Sequence, residues 1–223
     1  MNAVIGEILT LALGVAISPI PIIAAILMLL SPKARVTSTG FALGWLLGII
    51  LAVSIFTLLS SVLPEEDSDA SKPVTGIIQL VLGAGLLLLA ARQWQKRPKP
   101  GEDAALPKWM KAIDSISFFG ALGLGLLLAG VNPKNLLLGA SAGIAIGTPD
   151  LAVGETIAVI ALYTVIAAST VLVPVIGYLV ASDRLRGPLD ALRGWLAKEN
   201  PAIMAVLLLV IGVSVVGKGI ANF

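Results

Sequence analysis

The chain has 223 residues, 57% of them hydrophobic and only 13% charged, with a formal net charge of +2. Several apolar runs reach the roughly 20 residues that a bilayer crossing needs, so a water-soluble fold is excluded and a single-domain, all-α polytopic membrane protein is expected. Cysteine and histidine are both absent, which removes disulfides, thiolate nucleophiles, sulfur ligands and the commonest general base.

Six apolar segments follow in order, at about 4–30, 37–63, 74–91, 115–147, 152–181 and 202–221. The first has no basic residues ahead of it and no small-x-small cleavage site behind it, so it reads as a retained span. Ser18, Pro19 and Pro21 interrupt it near its middle. A short connection with Lys33 and Arg35 leads to the second segment, where Gly40, Gly44 and Gly48 form a ridge that lets helices approach closely. The second connection is acidic, with Glu65, Glu66, Asp67 and Asp69 against Lys72. Segment three carries one amide, Gln79. The third connection is the most basic, with Arg92, Lys96, Arg97, Lys99, Lys108 and Lys111. Its end, Pro107 to Ser115, is expected to lie along the membrane surface before segment four enters.

Segment four contains Ala129-Gly-Val-Asn-Pro-Lys-Asn135 inside a run that is otherwise apolar from Ile116 to Ile146. As one helix that run would be ~45 Å long, against a hydrocarbon core of about 30 Å. Pro133 cannot donate a backbone bond and disfavours helix at Asn132, so the helix should open there. A second glycine ridge follows at Gly139, Gly143 and Gly147. Both ridges read as packing within the bundle in preference to a homodimer interface. The fourth connection holds only Asp150 and Glu155. Segment five has a polar stripe of Tyr163, Thr164, Ser169, Thr170 and Pro174, which is weak evidence of a site because such hydroxyls often bond their own helix. The fifth connection, Ser182 to Asn200, carries Arg184, Arg186, Arg193 and Lys198, and the sixth segment closes the chain.

If all six segments cross, the odd-numbered connections collect twelve basic residues and the opposite face has only Lys72 and Lys218. The positive-inside rule then makes connections one, three and five cytoplasmic and both termini extracytoplasmic. Making segments one and four re-entrant would leave eight basic residues facing six, so six crossings with broken helices are preferred. Trp94, Trp109 and Trp195 beside the basic loops suit that assignment.

The halves echo each other. Ser18-Pro19 matches Asn132-Pro133, and Ser31-Pro-Lys-Ala-Arg-Val36 matches Thr148-Pro-Asp-Leu-Ala-Val153. Leu80-Val-Leu-Gly-Ala-Gly85 matches Leu209-Val-Ile-Gly-Val-Ser214. Three crossings per half make the second half inverted, and inverted repeats with broken helices are a transporter architecture. The expected layout is repeat one over 1–91, a cytoplasmic basic loop over 92–113 and repeat two over 114–223. The spans broken at Pro19 and Pro133 should meet near the midplane.

The chemistry expected at that junction follows from its residues. Lys134 is the only basic residue placed deep in the membrane, where a charge marks a ligand path. It supplies a positive centre for a phosphate, sulfate or carboxylate, with Asn132 and Asn135 able both to donate and to accept. The helix restarting at Pro133 adds free backbone N–H groups and a positive dipole end. No Asp or Glu lies near the middle of any segment; Glu7, Asp114 and Glu155 sit toward the ends. A buried proton relay therefore has no evident carrier, a divalent metal no oxygen cage, and there is no Walker-type phosphate loop. No cofactor, no metal and no nucleic-acid partner are expected, and an enzyme is the least favoured class.

Asn132-Pro-Lys-Asn-Leu-Leu-Leu138 resembles the Asn-Pro-Lys motif of the LysE superfamily of small exporters. More closely, the chain resembles the actinobacterial sulfolipid- and glycopeptidolipid-addressing proteins. The likeness rests on Ile17-Ser-Pro-Ile-Pro-Ile22, Phe41-Ala-Leu-Gly-Trp-Leu-Leu-Gly48, Pro107-Lys-Trp-Met110 with Asp114, and Gly212 through Gly219. It covers almost the whole chain. The resemblance implies a plasma-membrane protein that helps move envelope glycolipids outward, with Ser18, Pro19, Pro21 and Asn132 to Asn135 as its site. Amino-acid exporters of the superfamily carry a Gly-Pro-type break in the first segment. Ser18-Pro19 departs from that, and points away from amino-acid cargo. The expectation is a flippase-like transporter of an anionic amphiphile. Its rivals are an exporter of small amino-acid-like solutes and an accessory subunit that docks on a lipid-synthesis or secretion complex through the third connection.

Overall fold

In the computed structural model, residues 2–60, 72–96, 113, 115–149 and 151–223 are described, and all regular structure among them is helical. The acidic second connection, Trp109, Asp114, Asp150 and most of the third connection lie outside the described residues. Among the described residues, six helices precede residue 150: α1 (Asn2–Ala16), α2 (Pro19–Leu30), α3 (Ala34–Ser60), α4 (Lys72–Gln95), α5 (Phe118–Gly130) and α6 (Pro133–Gly147). The helical stretch Val153–Ala221 is broken at Ala181, whose φ of −142° and ψ of 53° are not helical. It yields α7 (Val153–Ala181) and α8 (Gly187–Ala221). Helices α3, α4, α7 and α8 are each long and apolar enough to cross a membrane, and the count rises to six if each bent pair, α1–α2 and α5–α6, is one span.

The pairs bend where the prolines stand, by 51° between α1 and α2 and by 61° between α5 and α6. A hairpin would reverse direction; these bends leave each second helix running onward. The glycines show the course of α5 and α6 along α3. A Cβ on Gly40 would meet Phe118, one on Gly44 would meet Leu122, and one on Gly48 would meet Ala129 and Leu126. Further along, Gly143 faces Val53, Phe56 and Thr57, and Gly147 faces Thr57 and Ser60. Both α5 and α6 therefore run parallel to α3, which they follow from end to end. The two ridges are spent inside this bundle, as the packing reading expects. Helix α4 lies antiparallel to α8, with Gly76 against Gly219 and Phe223, and Gly83 against Val216 and Gly212.

Trp45, Phe41, Tyr163, Ile8, Met28 and Leu138 fill the centre, with Phe41 and Trp45 stacked at 6.5 Å. The outer faces are equally apolar, with Leu58, Val81, Leu88, Val165, Val173 and Val180 exposed. A helix apolar on all sides suits a lipid surround. Trp94 and Trp195 are half exposed, as interface residues are.

Two boundaries differ from the sequence reading. Helix α4 continues through Arg92 to Gln95, a turn past the expected end. The fifth connection is largely helical: α8 begins at Gly187 and runs through Pro188 and Pro201. Leu189 and Leu196, seven residues apart, are buried on one face, while Asp190 and Arg193 form an exposed i,i+3 ion pair at 2.8 Å. An amphipathic face, not a loop, carries those charges.

Candidate binding site at two helix breaks

A broken helix inside a bilayer leaves unpaired carbonyls at the end of one piece and unpaired N–H groups at the start of the next, each costing several kcal/mol if unmet. At the first break, Pro19 and Pro21 carry no N–H, which removes two of the orphan donors at the start of α2. Ser18 is buried in extended backbone (φ −115°, ψ 99°), and its side chain makes no cap. The carbonyl of Leu13 accepts from Ile17 N, and that of Ala16 accepts from Ser18 N at 2.9 Å. The remaining partners come from more than a hundred residues away. Lys134 Nζ donates to the Gly14 carbonyl at 2.6 Å, and Thr170 Oγ1 donates to the Ala16 carbonyl at 2.6 Å. Three of the last four carbonyls of α1 are thereby met.

The second break is closed from within. Asn132 is the N-cap of α6, its Oδ1 accepting from Lys134 N at 3.1 Å, and its carbonyl accepts from Leu136 N. Pro133 takes the first helical position. Asn135 Nδ2 donates to the Leu128 carbonyl of α5 at 2.8 Å, and Val131 N donates to Leu127 O. The four residues Asn132 to Asn135 thus staple three helix ends: the start of α6, the end of α5 and the end of α1. The backbone N–H groups of Lys134 and Leu136 are engaged by Asn132, so the helix start is less open than the sequence suggests.

The junction sits at mid-depth. Gly48, near the centre of α3, faces Leu126 and Ala129, and Gly139 faces Ala52. The break at Val131–Asn132 falls between these levels. Lys134 is only 4% exposed and is the one buried charged side chain among the described residues. It has not snorkelled to a surface. No described carboxylate pairs with it; its second neighbour is Met204 Sδ at 4.0 Å. An ammonium has three donors, and a single carbonyl plus a thioether leaves capacity for an anion. The negative end of α1, where the carbonyls point, supplies the compensating field at present. Asn135 Oδ1 is buried without a partner, a second open polar atom in the same motif.

The sequence-derived residues are brought together unequally. Lys134 reaches α1 four residues ahead of Ser18. By contrast, α2, which carries Pro19 and Pro21, packs on α3 and on the Val153–Ala221 stretch. Those prolines shape the break at the start of α2. Gly14, Thr170 and Met204 complete the junction and were not singled out as site residues. Thr170 lies in the polar stripe of α7, where hydroxyls are expected to bond their own helix. Ser169 does so, to Ile166 O at 2.8 Å, but Thr170 crosses to another span. Gln79 accepts from Asn222 Nδ2 at 2.9 Å, tying α4 to the end of α8, a packing role.

Thr170→Val keeps the shape and removes the donor to Ala16. The expected loss is about 0.5–1.5 kcal/mol of stability, read from unfolding in detergent.

No curated protein and no solved structure matches the chain. A family model described as Sap, sulfolipid-1-addressing protein, matches residues 8–221, and the chain belongs to that family.

Proposed function

We propose that this protein is a six-span transporter that moves an anionic amphiphile, of the sulfated or phosphorylated lipid class, across the plasma membrane. The observation that carries the reading is the buried Lys134 amine, held without a carboxylate among the described residues where two broken spans meet at mid-depth. A charge in that position is expensive, and the cost is sensible where a ligand supplies the counter-charge. The Gly14 carbonyl then stands in for the cargo's anion in the empty state. The family's printed description, an addressing function for a sulfolipid, supports a sulfate-bearing head group.

Counting each bent pair as one span, the packing supports an inverted 3+3 repeat. Span one (α1–α2) packs on the fifth and sixth spans, the second span (α3) packs on the fourth (α5–α6), and the third packs on the sixth. The third also packs on the fourth, α4 against α6, so exchanging the halves turns the one–five pairing into two–four, the one–six pairing into three–four, and three–six into itself. Spans two and four are parallel and spans three and six antiparallel, as six alternating crossings require. With the basic connections cytoplasmic, both termini are extracytoplasmic.

The test is purified protein in liposomes with a sulfated glycolipid confined to one leaflet, its arrival in the other measured with an impermeant reagent. Transfer faster than in protein-free liposomes is expected, and a desulfated analogue should transfer more slowly. The second reading, an accessory subunit that needs a lipid-synthesis or secretion complex, is favoured by the Lys134–Gly14 bond, which already gives the amine a structural partner. On that reading the protein alone moves no lipid.

A further inference from the structure

Between the first half of α1 and the last half of α8 lies a cavity of about 280 Å³. Its walls carry Glu7 and Thr10 from α1, and Ser214 and Lys218 from α8. These are four polar side chains around one cavity. Glu7 Oε1 and Lys218 Nζ are 2.7 Å apart across the mouth, both partly exposed. The floor is made by Leu11 and Ile211, each 3% exposed. Directly behind that floor is the junction. A Cβ on Gly14 would lie 2.5 Å from Ile211 Cδ1, and Gly14 is the residue whose carbonyl holds Lys134. Thr10 and Gly14 are one helical turn apart, about 6 Å along α1. The cavity therefore adjoins the residue that holds the amine through the side chain of Ile211, with Leu138 packed on the same glycine at 3.0 Å.

We infer that this cavity is an outer binding site for the anionic head group, on the face that bears both termini, with Leu11 and Ile211 as the gate between it and Lys134. The proposal rests on the transport reading above. Three features give the site its chemistry. Its volume falls below the roughly 300–1,000 Å³ of drug-sized ligand pockets, so it takes a single sulfate or phosphate group and leaves acyl chains outside. Lys218 already holds a carboxylate, so Glu7 occupies the place of the cargo's anion. The hydroxyls of Thr10 and Ser214 line the same walls and can donate to the anion's remaining oxygens. Binding of a head group exchanges Glu7 for the ligand at Lys218. Movement of Leu11 and Ile211 then connects that anion with the deeper amine.

Because the chain contains no cysteine, single thiols report the path directly. Ser214→Cys places one in the cavity and Met204→Cys places one beside Lys134. Each is treated in sealed vesicles with an impermeant anionic (sulfonate-bearing) methanethiosulfonate and with its cationic trimethylammonium analogue. Ser214→Cys is expected to react from the terminal face only. Glu7→Gln should raise the anionic rate relative to the cationic one several-fold, and Lys218→Gln should lower it. Met204→Cys should be protected in the parent chain and react at least tenfold faster from the same face when Leu11→Ala is added. A sulfated alkyl glycoside should protect Ser214→Cys. Inorganic sulfate is the second arm: protection at equal concentration assigns the site to the anion alone, and weaker protection assigns part of the affinity to the lipid portion. An unreactive Ser214→Cys, or a Met204→Cys rate unchanged by Leu11→Ala, overturns the vestibule. Absence of protection by both sulfated probes overturns the anion assignment. These outcomes are separable from the transport reading, which stands or falls on lipid transfer by the parent chain and by Lys134→Gln.

Discussion

Lys134→Gln is expected to leave the protein folded while lowering lipid transfer at least tenfold, whereas Lys134→Ala is expected to lose both stability and transfer. The pair separates two roles that one side chain holds in the structure. Lys134 caps the Gly14 carbonyl at 2.6 Å, and it brings a positive charge to mid-depth. A glutamine amide still has an N–H for that carbonyl, so its stability cost should stay below about 1 kcal/mol. Alanine leaves the carbonyl buried and unmet, at a cost of about 1–3 kcal/mol. Unfolding in detergent reads the first quantity and liposome transfer the second. Full transfer by the glutamine variant would reduce Lys134 to a staple.

The second large effect is expected at Gly44. A Cβ there would lie 1.9 Å from the Leu122 carbonyl oxygen and 2.8 Å from its carbonyl carbon, both backbone atoms. No rotamer change relieves such a contact, so α3 and α5 would have to separate along an interface that also includes Gly40, Gly48 and Gly125. Gly44→Ala should therefore cost more than the ~1–3 kcal/mol typical of overpacking, and the variant should accumulate poorly. Gly123 is the internal control. It lies on α5 with nothing within 4 Å of its Cβ position, so Gly123→Ala should be neutral or stabilising by up to ~1 kcal/mol. Equal behaviour of the two variants in a thermal-stability assay would contradict the helix pairing described here.

Much of this site was legible from local chemistry. Pro19 and Pro133 break their helices because a missing N–H and a steric clash act on neighbouring residues in any context. A lysine inside an apolar run announces itself, and the glycine ridges announced close packing. What the sequence did not show was the partner of each feature. The carbonyl that holds Lys134 belongs to Gly14, a residue with no side chain to signal its role, 120 positions away. The pairing of Glu7 with Lys218 joins opposite ends of the chain and leaves no local pattern. The start of α8 differs from the sequence expectation for another reason. Its charges suggested a loop, while the buried Leu189 and Leu196 carry the helical period that decides the matter. Thr170 shows the limit of a base-rate argument, since Ser169 beside it follows the rule and Thr170 does not.

The central claim is that the amine at the meeting of the two broken spans recognises the anion of the cargo. Native mass spectrometry of the purified protein with a sulfated glycolipid and its desulfated counterpart tests it most directly. The account predicts that the parent chain retains the sulfated lipid preferentially and that Lys134→Gln, equally folded, binds the two alike. An undiminished preference for the sulfated lipid in Lys134→Gln would contradict it.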